Sequence, residues 1–166
     1  MILSGNELVA LAAKAARGAG APPQQAADFG AAAMRHFQAG RPPQHLRAAL
    51  QDLPDGVILD LPLALTRIVE GAQGGQARGV VQSDAHTELV QSYLEAQPFA
   101  VTASATPAGL VAVCALETPA PRPAALRVTL PGGLARLMTD LAARLLVPDT
   151  AASRAGGAGA GLTDND

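Results

Sequence analysis

The spacing of apolar residues changes at Pro98, and this change constrains the fold more than any other feature of the chain. Before Pro98, apolar residues recur at the period of helices that bury one face. After it, Phe99, Val101 and Ala103 alternate with small or polar residues, which is the period of a strand. The turn sequence "TPAG" at 106–109 leads into a second apolar run, "LVAVCAL", and so predicts an antiparallel β-hairpin. We therefore expect an α+β fold in which the helices come first.

Four helix starts in the first part of the chain predict an N-terminal helical hairpin or bundle. Ser4 and Glu7 form an S-x-x-E capping box, which begins the first helix. Proline pairs at 22–23 and 42–43 open the second and third helices, and Pro62 opens the fourth. The apolar faces consist of Leu8, Leu11, Ala12, Ala15 and Ala19, then Phe29, Ala33 and Phe37, then Leu46, Ala49, Leu50 and Leu53, and finally Leu65, Ile68, Val69 and Ala72.

Three short segments before the hairpin have less regular patterns. "VILDL" at 57–61 fits either a strand or the start of a helix. "GAQGGQARG" at 71–79 has the glycine content of a loop. "VVQS" at 80–83 is compatible with a short strand.

A fifth helix precedes the hairpin, and a third strand and a last helix follow it. Ser83 or Asp84 caps the fifth helix. "LRVTL" at 126–130 predicts the third strand, and Pro131 opens the last helix, which ends at Pro148. The apolar sides of these two helices consist of Leu89, Val90, Tyr93 and Leu94, and of Leu134, Leu137, Met138, Leu141 and Leu145.

The length of 166 residues suits one domain with a tail. We expect a single α+β domain at 1–148, with a helical part at 4–72 and a mixed part at 78–148. Hydrophobic residues make up 49% of the chain but aromatic ones only 2%, so the core of this alanine-rich protein should consist of aliphatic side chains. Residues 149–166 have almost nothing apolar to bury and are predicted to form a disordered tail.

Charge and composition argue against several partners and sites. The net charge is −2 with no basic block, so no nucleic-acid partner is expected. No run approaches the length of a membrane span and no secretory leader is recognisable, so a cytoplasmic protein without a membrane partner is expected. Cys114 is the single cysteine, and His36, His45 and His86 lack ligand-like spacing. We therefore predict neither a metal nor a cofactor.

The first helix carries a polar stripe that is one candidate ligand site. Asn6, Glu7, Lys14 and Arg17 fall on one side of the helical wheel, with alanines between them. The two cations and the amide have the chemistry to hold a carboxylate or phosphate of a ligand. The alternative interpretation is a solvated helix face in which the capping box occupies Glu7.

His86 is the second candidate. It is predicted in the first turn of the fifth helix, where the helix dipole favours the neutral imidazole. A neutral histidine between Asp84 and Glu88 has the chemistry of a general base. The alternative is a histidine that packs against the apolar face of its helix.

The stretch "ILSGNELVALAAKAARGAG" at 2–20 resembles the opening of DUF3726, a bacterial domain family of unknown function. The elements that carry the resemblance are Leu3, Ser4, Asn6 and Glu7, followed by the run at 14–20. The Ala-rich second helix and the His-containing stretch "DAHTELVQSYLEAQ" resemble later parts of the same family. The resemblance implies kinship with a bacterial family, and it implies no activity, cofactor or partner.

Two functional hypotheses follow from the sequence. Because no catalytic constellation is recognisable and the Ala-rich helices pack easily, the favoured one is a non-enzymatic module that binds another protein or a second copy of itself. The alternative is a small-molecule-binding protein, or a small enzyme, that takes an anionic ligand near the first helix. Whether the protein is an enzyme therefore stays open, with the preference against it.

Overall fold

A computed structural model of the protein describes residues 1–82, 86–122, 124 and 127–145. The predicted tail, the predicted helix end at Pro148 and the predicted caps Ser83 and Asp84 lie outside these residues. The described part confirms the α+β fold, with six helices and small antiparallel sheets. The helices are α1 (Gly5–Gly18), α2 (Pro23–Gln38), α3 (Gln44–Gln51), α4 (Val57–Glu70), α5 (Thr87–Glu95) and α6 (Gly132–Ala143). The strands are β1 (Ile2–Ser4), β2 (Gln76–Val81), β3 (Phe99–Thr106), β4 (Gly109–Pro119) and β5 (Arg127–Thr129).

The capping box at the start of α1 is confirmed. The backbone N–H of Glu7 donates to Ser4 Oγ at 3.3 Å, and the backbone N–H of Ser4 donates to Glu7 Oε2 at 2.7 Å. These two bonds satisfy backbone donors that a helix start otherwise leaves without a partner. The first helix therefore begins where its sequence predicts.

Replacing Ser4 with alanine is expected to lower the free energy of unfolding by about 1 kcal/mol, because the N-cap bond is lost. Thr118→Ala is a suitable control, because Thr118 is an exposed residue of β4. Circular dichroism melts of both variants and the wild type measure the effect. An unchanged melt for Ser4→Ala would show that the cap does not contribute to stability.

The fourth helix begins earlier than predicted. Pro62 lies inside α4 and does not open it, and the ambiguous segment at 57–61 is helical. Pro62 cannot donate the usual helical hydrogen bond, and this loss disfavours the arrangement. The extra turn nevertheless places Ile58 on the same buried face as Leu61 and Leu65. Burial of this face has overcome the local effect of the proline.

The third strand of the hairpin sheet is β2, and the predicted strand at 126–130 does not join that sheet. The sheet order is β2-β4-β3, whereas β5 pairs antiparallel with β1. Part of the predicted loop at 71–79 therefore belongs to β2. A tight turn at Gly74 and Gly75 leads into it, with positive φ values of 56° and 75°. This conformation suits glycine and explains how five residues connect α4 to the sheet.

The helices and the sheet share one hydrophobic core. Helix α1 packs against α2 and α6, α2 also packs against α5, and α4 covers β2. Most core residues are leucine, alanine or valine, and the fully buried aromatic residues are Phe29 and Tyr93. Leu145, predicted on the apolar side of the last helix, lies past the end of α6 and is 39% exposed.

Candidate functional site

A cavity of about 410 Å³ lies where α2, α4 and α5 meet the start of β3. Its size is within the range of small-molecule sites. We call it the Tyr93 pocket. It is lined by Gln24, Asp28, Pro62, Leu65, Thr66, Val69, Glu70, Tyr93, Gln97, Pro98 and Phe99.

Tyr93 has a buried hydroxyl that lacks a partner. The residue is 1% exposed, and within the described part of the chain its Oη atom forms no hydrogen bond. Buried polar groups are nearly always hydrogen-bonded, so an exception at the wall of a cavity indicates a missing partner. Burial, and then the negative charge of Asp28, raise the pKa of Tyr93 well above its ordinary value. The hydroxyl therefore remains a hydrogen-bond donor at any physiological pH.

Asp28 is the acidic neighbour of this hydroxyl. Its partial burial raises the pKa of its carboxyl, and the hydrogen bond from Gln24 Nε2 to Oδ1, at 2.9 Å, opposes that effect. No ion pair of Asp28 occurs within the described residues. Glu70 is a second carboxylate on the wall, and no lysine, arginine or histidine is among the described residues of the lining. The pocket is therefore acidic as well as apolar.

A second cavity, of about 350 Å³, lies beside α1 and has the opposite charge. Asn6 and Val9 of α1 line it together with Arg35 of α2 and with Arg122. The Arg35 guanidinium donates to the backbone oxygen of Pro121 at 3.0 Å. The cavity and the Tyr93 pocket are adjacent, because Gln97 and Pro98 line both.

The predicted stripe on α1 is exposed, and its four side chains are not gathered into one site. Only Asn6 lines the basic cavity beside α1. Glu7 is occupied by the capping box, and the backbone N–H of Ser4 holds the pKa of its carboxyl below the ordinary value. Lys14 and Arg17 lie in neither cavity, and both are exposed. An anion site at these two cations stays a prediction.

His86 lies one position before the first turn in which it was predicted. It occupies the N-cap position of α5, and its side chain forms no capping bond. Its Nδ1 atom is buried and has no partner among the described residues. Glu88, one of its two predicted acidic neighbours, lies instead 2.9 Å from Nδ1 of His45. A general-base role for His86 stays a prediction.

A buried polar network that sequence reasoning missed joins α2 to α5. His36 and Ser92 are both fully buried. His36 Nδ1 lies 2.9 Å from Ser92 Oγ, and His36 Nε2 lies 2.9 Å from the backbone oxygen of Pro42. The imidazole of His45 meets that of His36 edge-on, with 5.8 Å between the ring centroids. His36 follows Phe29 by seven residues, so the helical period already placed it on the buried face of α2.

The contacts of His36 fix its tautomer. A backbone carbonyl only accepts, so Nε2 carries the proton that is donated to Pro42. Burial holds the pKa of His36 below its ordinary value, so the ring is neutral and Nδ1 accepts from the Ser92 hydroxyl. The Ser92 hydroxyl also donates to the backbone oxygen of Glu88 at 2.8 Å, so its single proton is shared between that oxygen and His36 Nδ1.

Arg41 completes the network at the protein surface. Its Nη1 atom donates to Ser92 Oγ at 3.0 Å and to Glu95 Oε2 at 2.7 Å. Its Nη2 atom contacts the second carboxylate oxygen of Glu95, so the pair is bidentate. Because His36 and Ser92 are inaccessible, we assign this network to the packing of α2 against α5.

The stability of the protein is expected to fall between pH 7 and pH 5 because of His36. The unfolded chain takes up a proton near the ordinary histidine pKa of about 6.5, whereas the folded chain resists protonation. The unfolded state therefore binds more protons in this window, and stability rises with pH by at most about 1.4 kcal/mol per unit for one group. Urea unfolding at several pH values measures the free energy of unfolding as a function of pH. This free energy should rise more steeply with pH for the wild type than for His36→Gln. Equal slopes would contradict a neutral buried His36.

The described part of the chain contains neither a cluster of metal ligands nor an activated cysteine. No group of three or more histidine, cysteine, aspartate or glutamate side chains is placed to hold a metal there. Cys114 is buried in β4, and burial raises the pKa of its thiol. The thiolate that a nucleophile requires is therefore disfavoured.

Comparisons with known proteins give no relative from which a function can be transferred. No protein-family model matches the chain, and no curated protein or solved structure is significantly similar to it. The resemblance of residues 2–20 to DUF3726 accordingly stays a prediction. Within the described residues, no helix combines the length and apolar character needed to cross a bilayer.

Proposed function

We propose that this protein binds a small molecule in the Tyr93 pocket. The observation that carries the proposal is the Tyr93 hydroxyl, which is buried beside a cavity and has no partner among the described residues. A ligand that enters the cavity supplies the missing partner once the side chains that cover the hydroxyl move aside, and the apolar side chains of Leu65, Val69 and Phe99 contact its body. The small-molecule site proposed here is therefore the Tyr93 pocket and not the exposed stripe on α1. The cytoplasmic location expected from the sequence is kept as part of the proposal.

The test is a thermal-shift screen of small compounds on the wild type and on Tyr93→Phe. Because the lost hydroxyl has no partner to leave behind, the variant without ligand should melt at or above the wild-type temperature. A bound compound raises the stability of the wild type by about 2.7 kcal/mol at one hundred times its Kd. Compounds that use the hydroxyl should stabilise Tyr93→Phe less.

Thr118→Ala provides the control, because it removes an exposed hydroxyl of β4 and should respond to compounds as the wild type does. Two results would count against the proposal. One is a screen in which no compound stabilises the wild type. The other is a set of hits that stabilise Tyr93→Phe equally well.

Self-association is a second candidate function, and the edge of the sheet favours it. Strand β3 is an edge strand with the sequence "FAVTASAT", which contains no charge, proline or glycine. Residues 102–106 of this strand are exposed. Proteins usually protect such edges with charges or prolines, and the opposite edge strand β2 does carry Arg78. Antiparallel pairing of two β3 strands from two copies satisfies both edges without charge repulsion.

Sedimentation equilibrium tests the pairing of two copies. The wild type should dimerise reversibly, and Ser104→Lys should shift it to the monomer because each copy then brings a positive charge to the paired edge. Thr118→Lys adds the same charge on β4, away from that edge, and should leave the dimer intact. A monomeric wild type at high concentration would exclude this function.

A further inference from the structure

We infer that the ligand of the Tyr93 pocket carries a protonated amine on an apolar body. This inference rests on the proposed function, because it names the class of ligand that the same pocket takes. It follows from which hydrogen-bonding groups on the wall are already occupied and which are not.

Apart from the Tyr93 hydroxyl, the donor side chains described on the wall each donate a hydrogen bond within the protein. Thr66 Oγ1 donates its single proton to the backbone oxygen of Pro62 at 2.9 Å. Gln97 Nε2 donates to the backbone oxygen of Tyr93 at 3.0 Å, and Gln24 Nε2 donates to Asp28 at 2.9 Å. The donors that these bonds leave for a ligand are the Tyr93 hydroxyl and the second N–H of each glutamine amide.

The acceptors on the wall remain available. Asp28 Oδ2 forms no hydrogen bond with a described residue, and neither carboxylate oxygen of Glu70 does. The hydroxyl oxygen of Tyr93 accepts as well as donates. A ligand that matches this surface presents donors, and an ammonium group presents three of them with a positive charge.

The negative charge of the pocket wall favours an ammonium group over a neutral hydrogen-bond donor. Asp28 and Glu70 give the wall two carboxylates, and none of the described side chains that line it is cationic. Asp28 is partly withdrawn from water, so a cation beside it gains more than it would at an exposed carboxylate. Carboxylate and phosphate ligands are repelled here, and Arg35 and Arg122 make the adjacent cavity the more favourable place for them.

Three probes of equal chain length separate these chemistries: hexylamine, 1-hexanol and hexanoate. Calorimetric titration of the wild type should give an affinity for hexylamine at least roughly tenfold above that for 1-hexanol, since one charge-assisted hydrogen bond is of this order. Hexanoate should not compete with hexylamine. Asp28→Asn should reduce the preference for the amine to about twofold or less while 1-hexanol binds as before.

Asp140→Asn is the matched control. It removes an exposed carboxylate of α6 and changes the net charge by the same amount as Asp28→Asn does. It should keep the full preference for hexylamine. Glu70→Gln keeps the test informative if Asp28→Asn fails to fold, because it should also weaken hexylamine selectively.

The two proposals fail in different ways. If hexylamine and 1-hexanol bind equally and Asp28→Asn changes neither, the amine assignment is wrong while small-molecule binding in the pocket stands. If hexanoate binds the pocket best, the amine assignment is likewise overturned. If none of the probes binds and no compound in the thermal-shift screen stabilises the wild type, the pocket is not a ligand site and both proposals are wrong.

Discussion

Replacing Gly18 with alanine is expected to lower the free energy of unfolding by about 3 kcal/mol. The added Cβ atom would lie 1.8 Å from the backbone oxygen of Leu141, which is far inside van der Waals contact. A backbone atom cannot move aside as the end of a side chain can, so α1 and α6 have to separate. Overpacking of this kind typically costs about 1–3 kcal/mol and occasionally more.

Gly132→Ala is the control for this prediction. Gly132 begins α6, and a Cβ atom there has no heavy atom within 4 Å. Its replacement should be neutral or slightly stabilising, because alanine favours the helix more than glycine does. Urea unfolding measures both variants. If Gly18→Ala is as stable as Gly132→Ala, α1 and α6 do not approach as closely as the structure shows.

Replacing Phe29 with alanine is expected to cost about 3–5 kcal/mol. Phe29 is fully buried in α2, and the core around it is built largely from small aliphatic side chains. Those neighbours cannot fill the volume of a lost ring, so a cavity remains. Phe37→Ala removes the same ring from a partly buried position on the same helix and should cost clearly less. Equal losses for the two variants would contradict the described core.

Much of the helical part was predictable because its determinants are local. The Ser4–Glu7 box fixes the start of α1, and the proline pairs lie at the starts of α2 and α3. Local patterns were misleading at α4, where the proline inside the helix is tolerated because burial of Ile58 and its neighbours outweighs it. A strand was predicted at 126–130, but its pairing with β1 was not, since the two strands are far apart in the chain and β1 is too short to show a period.

The candidate site was largely not predictable from sequence. Tyr93 was placed correctly on the apolar face of its helix, but the missing partner of its hydroxyl depends on side chains from four separate elements. The same holds for the network of His36 and Ser92, whose members are 56 residues apart. The residues of the exposed stripe on α1 are close in sequence, but neither of the two cavities described above is lined by more than one of them.

The most direct test of ligand binding at Tyr93 uses the fact that the chain contains one tyrosine and no tryptophan. Protein labelled with carbon-13 at the tyrosine Cζ atom gives one resonance, and this atom carries the hydroxyl in question. Titration with hexylamine should shift that resonance saturably, with the same Kd as calorimetry gives for the wild type. A compound that stabilises the protein but leaves the resonance unchanged would show that the ligand binds elsewhere, and would contradict the assignment of the Tyr93 pocket.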